Sequence, residues 1–172
     1  PFGKGVPDLA RQLLWHLPYN DPTRLEDVLR REHDRIAAVL IEPLLGSCCG
    51  IPASPEFMRA VRELCTRYGV LMLVDEVKTG FRVARGGAQE LHGLKGALCT
   101  LANALANVYP IAAIGGREDV MRHCRPGGVT HGGTYTAGAM PLAAAERTLR
   151  ILRDTDSLDR MAAYGRGLQA GI

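Results

Sequence analysis

The apolar positions of this chain follow two rhythms. Residues 36–41 (IAAVLI) and 70–74 (VLMLV) are short unbroken apolar runs without polar alternation. Such runs mark strands covered on both faces, as in a parallel sheet flanked by helices. Between them Phe57, Val61, Leu64, Cys65 and Tyr68 recur at helical spacing and form one stripe. Ser54-Pro55-Glu56 starts that helix with a hydroxyl cap, a proline at the first helical position and an acid in the first turn. Gly69 stops it. Strand, helix and strand with short joints predict a right-handed βαβ unit. Upstream, Thr23 and Glu26 read as a capping box for a helix to about Glu32 that buries Leu25, Val28 and Leu29. Further strands are predicted near 97–101 and 111–114, and a helix over 141–153 through Leu142, Ala145, Leu149 and Leu152. Residues 1–22 read as irregular connection with short extended pieces, and 44–54 as a loop. The fold class is α/β.

Composition narrows the function classes. With 172 residues, 47% of them hydrophobic and 23% charged, the chain is no disordered segment and suits one domain, with room for part of a second. It has no apolar run long enough to cross a membrane, so no membrane partner is expected. The net charge of +3 is scattered, which argues against nucleic acid. The five cysteines show no CxxC spacing and read as reduced thiols of a cytoplasmic protein, with no metal site expected. Of the 21 basic residues only Lys4, Lys78 and Lys95 are lysines. Pro1 follows no initiator Met or signal-like stretch, and the last residues lie within or just after an amphipathic segment, so both ends are expected to be cut.

In open parallel sheets, ligands bind beyond the carboxyl ends of the strands. Two predicted strands end there in acids, Glu42 and Asp75-Glu76. An acid in that place is as commonly a turn or capping residue, but a carboxylate behind a dry strand such as Asp75 suits a cationic ring nitrogen. The stretch 130–136 (THGGTYT) offers exposed amides and hydroxyls to a phosphate, although Gly-Gly with Thr more often marks a plain turn. No P-loop spacing is present, and no GxGxxG follows a predicted strand.

Four segments occur in series: VDEVKTGFR (74–82), GGAQELHG (86–93), YPIAAIGG (109–116) and HGGTYTAG (131–138). Together they resemble the class-III aminotransferases, nearest to the glutamate-1-semialdehyde aminomutase-like branch, over about 22–172. The resemblance implies the large domain of a fold-type-I pyridoxal-phosphate enzyme, a mostly parallel sheet with helices on both faces, present here in part. Asp75 would pair with the pyridine nitrogen, and Val77 would pack on the ring. Glu42 would lie near the cofactor, and the 47–50 loop, with Ser47, near the substrate. Thr134 would donate to the phosphate of the cofactor in the adjoining subunit, so a homodimer is expected. His131 and Tyr135 would be supports rather than catalysts. The substrates implied are a small amino donor and a carbonyl acceptor, or the single substrate of a 1,2 amino shift.

One departure bears on mechanism. The family carries a lysine in a segment like TLAKALGNGYP, whereas this chain reads TLANALANVYP over 100–110. Asn103 therefore stands at the Schiff-base lysine position, and Val108 at a glycine position. An amide nitrogen, its lone pair delocalised into the carbonyl, neither forms the imine nor carries a proton. Sequence places none of the three lysines at the ring, and the family's aspartate after Lys95 is replaced by Gly96-Ala97. Two readings stay open: a variant of a working aminotransferase or aminomutase, and a non-catalytic cofactor-binding or interaction homologue that keeps the scaffold. The resemblance further implies a division into 1–153, the central part of the large domain, and 154–172, the start of a connection to a small domain. A phosphate-cradling loop would precede Pro1, and the small domain would follow Ile172.

Overall fold

The computed structural model describes residues 4–172. Strand β1 (Ala38–Ile41) and strand β4 (Leu71–Asp75) are parallel neighbours joined through helix α3 (Pro55–Arg67), the βαβ unit predicted. Strand β5 (Leu98–Leu101) adds parallel to β4, and strand β6 (Ala113–Gly116) adds antiparallel to β5, giving the order β1-β4-β5-β6. The last strand starts two residues later than predicted. The sheet is mostly parallel and the architecture α/β.

Helix α3 forms as its sequence dictates. The Ser54 hydroxyl accepts from the Phe57 amide at 3.0 Å, Pro55 opens the first turn, and Gly69 turns the chain at φ +69°. Phe57, Met58, Val61, Leu64 and Cys65 bury one face against β1 and β4. Helix α2 (Pro22–Glu32) packs beside α3 through Leu25, Val28 and Leu29. Burying each leucine contributes about 1.5–3 kcal/mol, so these two helices on one face of the sheet form the main core.

Three expectations are corrected. The cap of α2 is Asp21, whose carboxylate accepts from the Arg24 amide at 2.9 Å; Thr23 is already inside the helix, with Pro22 at its first position. Residues 4–21 are irregular connection as expected, except for one helical turn, α1 (Asp8–Arg11); the rest of the predicted stretch, 1–3, lies outside the described residues. Residues 44–54 hold a small antiparallel pair, β2 (Leu44–Leu45) with β3 (Ile51–Pro52). Strand β1 is covered on one face only: Leu40 is 66% exposed, while Ile41 is buried. An apolar run reads the same whether its second face is filled or open.

Beyond the sheet come a short helix α4 (Gly87–Leu91) after β4 and another, α5 (Glu118–Met121), after β6. Helix α6 (Ala139–Asp154) covers the predicted 141–153, with Ala145 buried in a second small cluster beside Leu105 and Ala106. Of the other predicted face positions, Leu149 packs against that cluster and Leu142 is exposed. Helix α7 (Ser157–Ala170) follows and has no buried residue.

Candidate functional site

Register brings the acids together. Ile41 pairs with Val74 and Asp75 with Thr100, so Asp75 and Thr100 stand side by side on β4 and β5, with Glu42 at their level one residue past β1. This is the carboxyl edge of the parallel strands, where ligands bind in open α/β sheets. Asp75 is half-buried, and its Oδ1 accepts from the Val77 amide at 2.9 Å and the Thr100 hydroxyl at 3.0 Å. Both bonds fix the carboxylate and leave Oδ2 to a further donor. Val77 follows, half-buried, in the turn after β4. Asn103 opens a short 3-10 helix just past the end of β5, at the same edge, exposed and with φ +42°. Asparagine tolerates that left-handed backbone better than most residues.

Glu42 is tied down twice. Its carbonyl accepts from the Tyr19 hydroxyl at 2.6 Å, and its carboxylate accepts from the Gly46 amide at 3.2 Å. Burial, reinforced by the Glu42 charge, pushes the Tyr19 hydroxyl up to about 12, so it stays protonated and donates. Ser47 is exposed in the turn between β2 and β3, where the Cys48 and Gly50 amides both donate to the Leu45 carbonyl at 3.1 Å. Gly46 lies against the Lys78 stem so closely that a Cβ there would sit 2.6 Å from Lys78 Cγ.

The three lysines separate. Lys78 is three residues beyond Asp75 at the carboxyl edge, its stem under Gly46. Lys95 precedes β5, and so stands at the opposite end of the sheet, beside a cavity of about 900 Å³ also lined by Arg62 and Arg117. Lys4 is exposed in the turn before α1. Thr134 is not brought to Asp75: it is exposed and lines a separate cleft of about 300 Å³ with Pro110, Ile111, His131 and Tyr135.

Sequence reasoning missed three features. Glu76, only 1% exposed, aims its carboxylate at the start of α4. Its oxygens accept from the Ala88 amide at 2.9 Å, the Gln89 amide at 2.8 Å and the Thr79 hydroxyl. It thus stabilises a helix N-terminus twelve residues on, and Gly87 (φ +69°) leaves no room for a Cβ beside it. The signal was an acid followed by adjacent glycines, which Asp75 overshadowed. Thr100 needs the strand register and has no sequence signal. Tyr19 and Asn20 carry none either, since their partners lie more than twenty residues away.

A family model for class-III aminotransferases matches residues 3–172. The chain is similar to a glutamate-1-semialdehyde 2,1-aminomutase of Herminiimonas arsenicoxydans, 39% identical over 100% of this chain and 40% of that protein. It therefore spans about 40% of that relative's length. Among solved structures it is similar to an omega-transaminase from Sphaerobacter thermophilus, with TM-score 0.91 and 32% identity over 100% of this chain and 40% of that one. It is also similar to the FumI protein of Sphingopyxis sp. MTA144 in its PLP internal aldimine form, with TM-score 0.87 and 33% identity over 99% of this chain and 41% of that one.

Proposed function

This chain belongs to the class-III aminotransferases, and we propose that it forms the cofactor-holding centre of a pyridoxal-phosphate enzyme whose own lysine position is vacated by Asn103. The observation that carries this reading is Asp75: a half-buried carboxylate at the end of a central strand, oriented through Oδ1 with Oδ2 free for a protonated ring nitrogen. That donor set fits pyridoxal phosphate, the cofactor of the family. When bound, this group supplies an electron sink for charge developing at the substrate carbon. Asp75 would hold the proton on the ring nitrogen, with the Thr100 hydroxyl and Val77 amide keeping the carboxylate aimed. Val77 would pack on the ring, and Glu42 and the Ser47 turn would border the substrate side.

Thr134 lines a cleft apart from Asp75, which supports a role toward the cofactor of a second subunit and hence a homodimer. Residues 1–153 would be the central part of the large domain, and 154–172 the start of a connection to a small one. Five free thiols support a reducing compartment such as the cytoplasm. The substrates would be a small amino donor and a carbonyl acceptor.

Asn103 cannot link the cofactor or carry a proton at the reacting carbon, so amino transfer would be impaired. The test is made on the protein at its natural length, mixed with pyridoxal phosphate and reduced with borohydride. The expected result is cofactor binding without a covalent adduct, and both an adduct and amino transfer once Asn103→Lys is introduced. A fixed adduct on Lys78 in the unsubstituted protein would overturn the impairment. Cofactor binding that stays silent in Asn103→Lys would favour the second reading, a non-catalytic homologue that keeps the scaffold.

A further inference from the structure

We infer that Tyr19 and Asn20 are positioning residues of the cofactor end, a two-residue clamp that holds the 42–54 loop at both its ends. This rests on the reading of Glu42 and the Ser47 turn as the substrate side of the site.

The loop leaves β1 at Glu42 and enters α3 at Ser54. At its start the Tyr19 hydroxyl donates to the Glu42 carbonyl at 2.6 Å. At its finish the Asn20 side chain donates to the Pro52 carbonyl at 3.1 Å and accepts from the Ser54 amide at 2.9 Å. An amide side chain is suited to this because it offers a donor and an acceptor at once. The Ala53 amide donates to the Pro43 carbonyl at 2.9 Å and closes the neck between the two ends.

The clamp is itself fixed. The Tyr19 ring meets Phe57 of α3 edge-on, with centroids 5.6 Å apart, so the core holds the ring that aims the hydroxyl. Asn20 sits at φ +61°, a left-handed turn that swings its side chain away from the line of the chain, and Asp21 next to it caps α2. One short segment thus locks α2, the end of β1, the loop and the start of α3 in a single arrangement. The consequence lies at the carboxyl edge: the Glu42 carboxylate and the Gly46 amide it receives are held where the loop meets Lys78. Ser47 and Cys48 follow Gly46 directly at the turn. A loop pinned at both ends loses less freedom when a ligand settles beneath it, so binding is favoured by prior order rather than by direct contact.

The test uses the protein at its natural length and two readouts: amide hydrogen exchange over 46–54, and pyridoxal phosphate affinity followed by absorbance. Asn20→Gly keeps the left-handed backbone and removes only the side chain. It is expected to speed exchange at the Cys48, Gly50, Ala53 and Ser54 amides, leave Val61 and Met72 as they were, and weaken cofactor affinity about tenfold. Asn20→Asp, which still accepts from Ser54 but cannot donate to Pro52, is expected to fall between. Tyr19→Phe is expected to loosen the Glu42 end first. Exchange over 46–54 unchanged in Asn20→Gly overturns the clamp. Faster exchange with the parent's affinity overturns its service to the site and leaves only a structural tie. Asp75→Ala is the control for the underlying reading: if it too keeps the parent's affinity, the cofactor assignment fails, whatever the exchange data show for the clamp.

Discussion

Val108 follows Asn107, also left-handed at φ +43°, but lacks the short polar side chain that lets asparagine tolerate such a backbone. Its φ of +83° places a β-branched side chain in the left-handed region, where Cβ meets the following carbonyl, and the residue is almost wholly exposed, so no packing offsets the strain. The family resemblance puts a glycine at this position, and the backbone supplies the reason. Val108→Gly is expected to stabilise the fold by about 1 kcal/mol, read as a higher denaturation midpoint with an unchanged slope. Gly87 is the converse case. Its φ of +69° and the Glu76 carboxylate 2.4 Å from a would-be Cβ make Gly87→Ala doubly unfavourable. A loss of about 2 kcal/mol or more is expected, measured by thermal unfolding, because the substitution strains the backbone and displaces the acceptor of the Ala88 and Gln89 amides. Cys65 is buried and its thiol pushed up to about 11 by that burial, which makes it a packing residue rather than a nucleophile.

At the scale of elements, the fold depends on ties between segments distant in sequence. Tyr19 links the chain before α2 to the carbonyl of Glu42, the residue that follows β1, and only its protonated form donates there. Its pKa is raised from 10.0 to about 12, so the folded state holds its proton more tightly than the unfolded state. The contribution is therefore fully present below pH 10 and is lost as pH rises toward about 12. Denaturation midpoints measured across that interval are expected to fall in the parent and to fall less steeply in Tyr19→Phe. Cys65, raised from 9.0 to about 11, adds a decline of the same sign that both proteins share. The difference between the two curves, not either curve alone, isolates the tyrosine.

For the whole molecule, surface is the decisive quantity. The accessible area of 11949 Å² exceeds the roughly 8,200 Å² expected of a compact chain of this mass. The excess lies where apolar residues face outward, among them Leu40 on β1 and Ile114 on β6, the two edge strands of the sheet, and Met140 and Met161 on the last helices. Open strand edges beside exposed apolar side chains pair readily with other chains. The 172-residue chain by itself is therefore expected to elute from a sizing column well above its 18.6 kDa and to bind an apolar dye. Elution as a dye-silent monomer would show that the exposed faces are covered by rearrangement within the chain.

Local chemistry determined what was legible in advance. The Ser54-Pro55 start and Gly69 stop of α3, the buried stripe from Phe57 to Cys65 and the existence of all four main strands follow from spacing and from side chains acting within one turn. So did the strand-end acids, because a run of apolar residues that stops at Glu42 or Asp75 locates the edge of the sheet. Tertiary structure decided the rest. Which acid faces the site and which stabilises a helix depended on register with Thr100 and on where α4 begins, neither of which adjacent residues encode. The exposure of Leu40 depended on what covers its face. The hold of Tyr19 and Asn20 on a loop more than twenty residues away, and the separation of Lys95 from the edge that carries Asp75, exist only once the strands are aligned. Hydrophobic periodicity acts along the chain, whereas a hydrogen bond across it forms only where folding brings donor and acceptor within about 3 Å.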